Sequence, residues 1–229
     1  MDAAGCFSGC SSLNNVVIPD NVVTIADDAF FGCSSLTSIN IPQGVTYIGD
    51  YAFAQTGLVN VVVPDSVMHI GSYVFYQCYE LRNILLSNTL STIPNRAFAQ
   101  CTALDEIILP DSINIINGYA FEGCSSLKNI IIPNDIVNIP SKTFANCTSL
   151  ETIVLGTSLT NISYDAFENC NSLTVITILS ETPPYAGGYR VSLPSSLEHV
   201  YVPEGCVEAY TQSSSAWYNV RDKIGVIPN

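Results

Sequence analysis

The stretch LTSINIPQGVTYIGDYAF, residues 36–53, decides how the rest of the chain is read. Its apolar residues fall at Leu36, Ile39 and Ile41, stop at Pro42, resume at Val45 and Ile48, and close on Ala52 and Phe53. The same order recurs from one end of the chain to the other. Eight of the nine Phe form one column, Phe7, Phe30, Phe53, Phe75, Phe98, Phe121, Phe144 and Phe167, with steps of 23 residues broken once by a step of 22. Leu13, Leu36, Leu58, Leu81, Leu104, Leu127, Leu150 and Leu173 form a second column, and one residue missing between Phe53 and Leu58 accounts for the short step. Leu197, Val200, Val202 and Pro203 repeat the spacing a ninth time. Each unit reads L-x-x-I-x-I-P-x-x-V-x-x-I-x-x-x-A-F-x-x-C.

A period of about 20 to 29 residues carrying L-x-x-I-x-I predicts leucine-rich coils. The I-x-I segment forms a short strand whose inward side chains stack on those of the next coil. Pro19, Pro42, Pro64, Pro110 and Pro133 end that strand, because proline cannot donate to a ladder. Turn residues such as Asp20, Asp65 and Asp111 follow, V-x-x-I closes the core, and an Ala-Phe turn supplies an aromatic plug. No unit buries its apolar side alone, so the coils must stack. The expected fold is a repeat solenoid: a right-handed coil stack with a parallel β-sheet face and short strand or helical turns opposite. The solenoid is expected over residues 1–179, as about eight coils with the first incomplete. Residues 180–229 are expected to hold a final strand and a C-terminal cap.

The combination of I-x-I-P, V-x-x-I and A-F-x-x-C at this period resembles the BspA-like leucine-rich repeat proteins. Glu181 to Pro184, and the stretch from Tyr201 through Pro203, Gly205, Ala209, Tyr210 and Trp217 to Ile224, resemble the terminal module of bacteroidete members. The resemblance implies a secreted or surface-displayed protein with a role in adhesion or partner binding. It implies a fold more firmly than a function.

Departures from the pattern locate tolerances and ends. Thr56 stands where other units have Cys, and Ser87 and Gly156 stand where others have Pro. Phe7 has no V-x-x-I segment before it, since the position matching Ile25 is Asp2, so the chain reads as a piece of a longer protein. Its lack of a targeting segment is weak evidence about location. From about Ser180 the period is interrupted by Thr182, Pro183, Pro184, Gly187 and Gly188. Beyond it, Glu204 to Ile224 reads as a short helix and an aromatic lid of Tyr210, Trp217 and Tyr218.

Composition excludes several functions. The 229 residues are 48% hydrophobic and 12% charged, which is no disordered chain. Seven Lys+Arg against 20 Asp+Glu leave a net charge of -13, so no basic face is available for nucleic acid or anionic lipid. The apolar runs are too short for a membrane span. Of nine Cys, seven (Cys10, Cys33, Cys78, Cys101, Cys124, Cys147 and Cys170) sit three residues after the repeat Phe. With no C-x-x-C and an odd total, the expectation is a ladder of buried free thiols rather than disulfides or a metal site. Cys6 replaces the usual Ala before Phe, and Cys206 stands alone in the cap.

Catalytic signals are thin. His69 and His199 occupy variable positions and are expected to face solvent, and a Cys206–His199 pair has no third residue to support it. Asp27, Asp28, Asp50 and Asp165 precede the Ala-Phe turn, where turn and N-cap chemistry needs them. Arg96, Lys142 and Tyr119 lie in or beside the same column, which argues against a row of Ca²⁺ ligands. The expectation is no enzyme and no cofactor. Two sequons, Asn146-Cys147-Thr148 and Asn161-Ile162-Ser163, matter only in a eukaryotic source.

Candidate binding residues come from the outward positions. The x between the two isoleucines points away from the core, giving Val17, Asn40, Val62, Leu85, Ile108, Ile131, Val154, Thr177 and Tyr201. Two residues after each Leu runs a polar row that includes Asn60, Asn83, Glu106 and Asn129. An apolar stripe with a polar border is the pattern of a protein-binding surface, with Val62, Leu85, Ile108 and Ile131 at its centre. The same stripe also follows from the β-branched preference of any tightly stacked sheet. A second patch, Phe31, Tyr47, Tyr51, Tyr73, Tyr76 and Tyr79, is placed near the Ala-Phe turn, on the side away from the sheet. Exposed Tyr faces suit sugar rings as well as protein, but filling of the wider outer side of a curved solenoid is the favoured account of them. The expected setting is extracellular or at a cell surface, with a protein or matrix partner, a glycan as the alternative, and a passive spacer as a third reading.

Overall fold

The computed structural model describes residues 4–186 and 192–228. The expectations for Asp2, Gly187 and Gly188 lie outside the described residues. The chain winds as about nine stacked turns of parallel strand, with little helix. The I-x-I segments make one face. Asn60–Val62 pairs with Asn83–Leu85, and Asn129–Ile131, Thr152–Leu155, Val175–Ile178, His199–Val202 and Ile224–Val226 form a five-stranded sheet, all parallel. The register is residue for residue across units, as in Ile130 beside Ile153 and Ile153 beside Ile176.

The V-x-x-I segments make a second face of two-residue strands. Thr24–Ile25, Tyr47–Ile48 and His69–Ile70 are neighbours, as are Thr92–Ile93 with Ile115–Ile116 and Asn138–Ile139 with Asn161–Ile162. Between the faces, the proline carbonyl accepts a hydrogen bond from the N–H three residues on, as from Val67 to Pro64 at 2.9 Å. Pro thus ends one strand and opens the turn into the next.

The third side is the Ala-Phe turn. The seven consecutive Phe pairs from Phe7 to Phe167 stack at 5.3 to 5.9 Å between ring centres, with planes within 9° of parallel. From Phe53 to Phe167 the rings are almost wholly buried. Two residues before the Phe of six successive coils, Phe30 to Phe144, the backbone turns left-handed, at φ between 53° and 61° for Asp28, Tyr51, Tyr73, Arg96, Tyr119 and Lys142. Two residues after Phe it does so again, with Gly9, Gly32 and Gly123 sharing that column with Gln55, Gln77, Gln100, Asn146 and Asn169. Gly and Asn tolerate this conformation, which accounts for five of the eight members, while Gln55, Gln77 and Gln100 adopt it without that tolerance.

At the C-terminal end, Val207–Thr211 is helical and Tyr218–Lys223 is a 3₁₀ turn. Tyr210 and Trp217 are completely buried, while Tyr218 is half-buried. The Tyr210 hydroxyl donates to the Ser180 carbonyl at 2.8 Å, and the Trp217 indole N–H donates to the Pro184 carbonyl at 3.3 Å. Both aromatic tips thus satisfy backbone carbonyls of the irregular stretch while their rings cover the last coil. The final strand, Ile224–Val226, extends the I-x-I sheet and was not read from the sequence.

Candidate functional site

Each I-x-I strand buries its two isoleucine-type residues and turns the residue between them outward. Val62, Leu85, Ile108 and Ile131 are 57%, 60%, 71% and 67% exposed, in four successive coils. Val154, Thr177 and Tyr201 continue the row, half-buried. Beside it, Asn60, Asn83, Glu106 and Asn129 are exposed in adjacent register. The Asn83 amide donates to Asn60 Oδ1 at 2.9 Å, and Thr152 Oγ1 donates to Asn129 Oδ1 at 2.6 Å. All eight residues expected to bind a partner therefore lie on one surface.

The ladder of this face is interrupted in the middle. Residues 105–109 pair with neither Asn83–Leu85 nor Asn129–Ile131, although their motif is intact. A long backbone hydrogen bond, Lys128 N–H to Asp105 O at 3.4 Å, ties the fifth coil to the sixth at the start of the segment. A groove lies over this seam, lined by Ile108 and Ile131 and edged by Asp105, Glu106, Lys128 and Asn129.

The tyrosine patch divides into separate parts. Tyr51 and Tyr73 stack at 4.4 Å, Tyr76 meets Tyr73 edge-on at 5.5 Å, and Phe31 meets Tyr51 edge-on at 6.3 Å. Arg96 continues the row, its guanidinium 5.9 Å from the Tyr73 ring and 4.1 Å from the Tyr119 ring, with Glu122 at 2.9 Å as its ion-pair partner. Burial, and then the neighbouring Tyr73, raise the pKa of the Tyr51 hydroxyl. Tyr47 does not join this row. It precedes the inward Ile48 in a strand of the second face, so alternation sends it outward, where it stacks on His69 at 4.8 Å. Tyr79 is exposed beyond Cys78 and is no part of the stack. The grouping read from sequence is corrected accordingly: adjacency in the chain put residues of different faces together.

Six of the seven ladder cysteines are buried, and Cys10, in the first described coil, is exposed. All nine are free thiols. Each buried thiol donates to the carbonyl of a Phe 25 or 26 residues earlier, at 3.0 to 3.2 Å. The column is therefore a polar ladder as well as an apolar one. Thr56 does not replace the missing rung: its hydroxyl donates to Phe53 O of its own coil at 2.8 Å, beside the Cys78 thiol 3.3 Å away that bonds the same carbonyl. Burial pushes the Cys78 thiol up to about 11 and Cys170 to about 12, and it raises Cys101, Cys124 and Cys147 strongly. These are unreactive groups.

The acidic column also ties coil to coil. Asp27 Oδ1 accepts the Asp50 N–H at 2.8 Å, and Asp50 Oδ1 accepts the Ser72 N–H at 2.7 Å. No helix follows them, so the expected N-cap role is replaced by a cross-coil one. His69 and His199 are exposed, and His199 lies against Tyr201 at 5.5 Å. Among the described residues no group of three or more His, Cys, Asp or Glu is placed to hold a metal ion, and no helix is long and apolar enough to cross a membrane.

A family model described as the BspA type leucine rich repeat region matches residues 3–128 and 68–187, in six copies. The chain belongs to that family. Among solved structures, the BspA-type fold is shared with a leucine-rich repeat protein from Bacteroides ovatus, at 29% identity and a TM-score of 0.76 over 86% of this chain and 51% of that one. This chain thus spans about half the length of that relative. It is also similar to a leucine rich cell surface protein from Faecalibacterium prausnitzii, at 25% identity and a TM-score of 0.55 over 98% of this chain and 66% of that one. The T. pallidum leucine rich repeat protein is similar at 26% identity and a TM-score of 0.56, over 84% of each chain. No curated protein matches.

Proposed function

We propose that this chain acts outside the cell, as an adhesion or interaction module that binds a protein partner through its I-x-I sheet face. The observation that carries the reading is the unbroken row Val62, Leu85, Ile108 and Ile131, each more than half exposed, beside a row of hydrogen-bonding side chains. Four adjacent large apolar residues held open to water on a rigid face are characteristic of a surface awaiting a partner. The extracellular setting is supported by the family and by the Faecalibacterium prausnitzii relative, which is described as a cell surface protein.

The tyrosine row gives weaker support to glycan binding. Tyr51 and Tyr73 cover each other's faces, and Arg96 lies over Tyr119, so the flat surfaces a sugar ring would use are partly occupied.

The test replaces Val62, Leu85, Ile108 and Ile131 together by Thr, a β-branched residue that suits a strand while removing apolar area. The melting temperature should move by no more than about 4 °C, and a protein retained from host matrix or cell-surface extract by the native chain should be lost. Equal retention by the folded variant would overturn the reading. A spacer would retain nothing in either form.

A further inference from the structure

The charges beside the sheet face form a row of their own. The residue following each coil's Leu is Arg82, Asp105, Lys128 and Glu151 in the fourth to seventh coils, so the sign alternates plus, minus, plus, minus. All four are exposed. Successive rungs of a parallel stack are about 4.8 Å apart, so the four charges form a short, regular strip along the stacking axis. The strip is not consumed within the molecule. The two ion pairs among the described residues are Arg96–Glu122 and Lys142–Glu168, and neither includes a member of this row.

A row of this order is complementary to its own reverse. If a second copy is laid on the sheet face with its stacking axis antiparallel, by a two-fold rotation about a line parallel to the strands, each row meets the same row running backwards. With the axis between the fifth and sixth coils, Arg82 faces the second copy's Glu151 and Asp105 faces its Lys128, each pair occurring twice. The neighbouring rows agree with the same axis. Glu106 faces Asn129, Asn83 faces Thr152, Ile108 faces Ile131, and Leu85 faces Val154. No like charges are opposed, and Ile108 and Ile131, the two most exposed of the four central stripe residues, meet at the centre, over the groove where the ladder is interrupted. Self-complementarity under a two-fold axis is the requirement for an isologous interface.

We propose that the sheet face docks a second copy of this chain in this antiparallel arrangement. The proposal rests on the reading of the sheet face as a protein-binding surface and names its occupant. Six coils at about 4.8 Å by roughly 20 Å of strand and side chain give on the order of 500 Å² per copy, at the small end for a specific interface. The dimer is therefore weak, and its electrostatic part weakens with salt.

Sedimentation equilibrium up to about 200 µM chain in low salt is the test, a range suited to an interface of this size. The native chain should dimerise. Arg82→Glu alone and Glu151→Arg alone should each weaken the dimer at least about tenfold, since each turns two attractions into two repulsions. An equimolar mixture of the two variants should restore association to within about threefold of native, because each charge again meets its opposite. Circular dichroism melting checks that the single variants remain folded. A native chain that stays monomeric, a dimer indifferent to both substitutions, or a mixture that fails to recover would overturn the proposal. If the chain is monomeric yet the stripe variant loses an extract protein, the sheet face remains a binding surface and only the second copy falls. If neither is seen, both readings fall.

Discussion

Raising the pH should unfold this protein through its thiol ladder. Cys78, Cys101, Cys124, Cys147 and Cys170 are all completely shielded from solvent in the stack. An unfolded thiol titrates near 9.0, whereas burial raises Cys78 to about 11, Cys170 to about 12 and the other three strongly. The folded pKa is the higher one, so the stabilisation is complete below about pH 9 and is lost as pH climbs from 9 towards the folded values. At pH 10 each unfolded thiol is mostly ionised while its folded counterpart is not, which removes about 1 to 2 kcal/mol per thiol and roughly 7 kcal/mol over five. That equals the entire stability of a marginal domain. The assay is the urea midpoint under reductant, followed by circular dichroism from pH 7.5 to 10.5. Tyr47, Tyr51 and Tyr210, whose hydroxyls burial also raises, add a background of the same sign, and a Cys124→Ala variant separates the thiol part: it should begin less stable but lose less stability with pH, by about one thiol's share. A midpoint flat to pH 10.5, or a slope unchanged by removing Cys124, would refute the reasoning.

Three substitutions probe the stack in other ways. Phe98→Ala removes a fully buried ring lying 5.7 Å and 5.5 Å from its two stacked neighbours, and should cost about 3 to 5 kcal/mol in denaturant titration. Thr56→Ala should cost about 1 kcal/mol by leaving Phe53 O with one donor fewer, while Thr56→Cys should be nearly neutral because the thiol restores the repeat rung. Gly156→Ala places a Cβ 2.4 Å from the Pro133 carbonyl oxygen, a backbone atom that cannot move aside alone, and thermal melting should drop by several degrees.

What was legible in the sequence is what repeats. The Leu, Ile, Phe and Cys columns announce themselves by spacing, and they occupy the core because a stack multiplies any residue facing inward. The outward row at Val62, Leu85, Ile108 and Ile131 was legible for the same reason, since strand alternation fixes its direction once the inward positions are known. Short strands opposite the sheet face were expected, but their pairing into a second face was not, because strands two residues long, as at Thr24–Ile25, are too short for any period to show. The thiol-to-carbonyl bonds were missed because their partner lies 25 or 26 residues back and is backbone, which carries no letter. Tyr47 was misgrouped because nearness to Tyr51 in the chain concealed that they leave the coil on different sides. The closing strand Ile224–Val226 lies outside the repeat, and the seam at residues 105–109 interrupts a segment whose motif is unbroken.

The division of labour between columns explains why fold and function separate so sharply here. Inward columns must keep shape and apolarity at every rung, so they spell the solenoid nine times over and say nothing about a partner. Outward columns are released from that constraint, and the stack converts them into rows in which residues 23 apart in sequence become neighbours about 4.8 Å apart in space. A row such as Arg82, Asp105, Lys128 and Glu151 has no meaning along the chain, where its members are scattered over four repeats. Across the coils it becomes a patterned edge whose order can be matched or mismatched by whatever lies against it. Recognition in such a solenoid is encoded across the repeats, and each outward column can change rung by rung without disturbing the core beneath it.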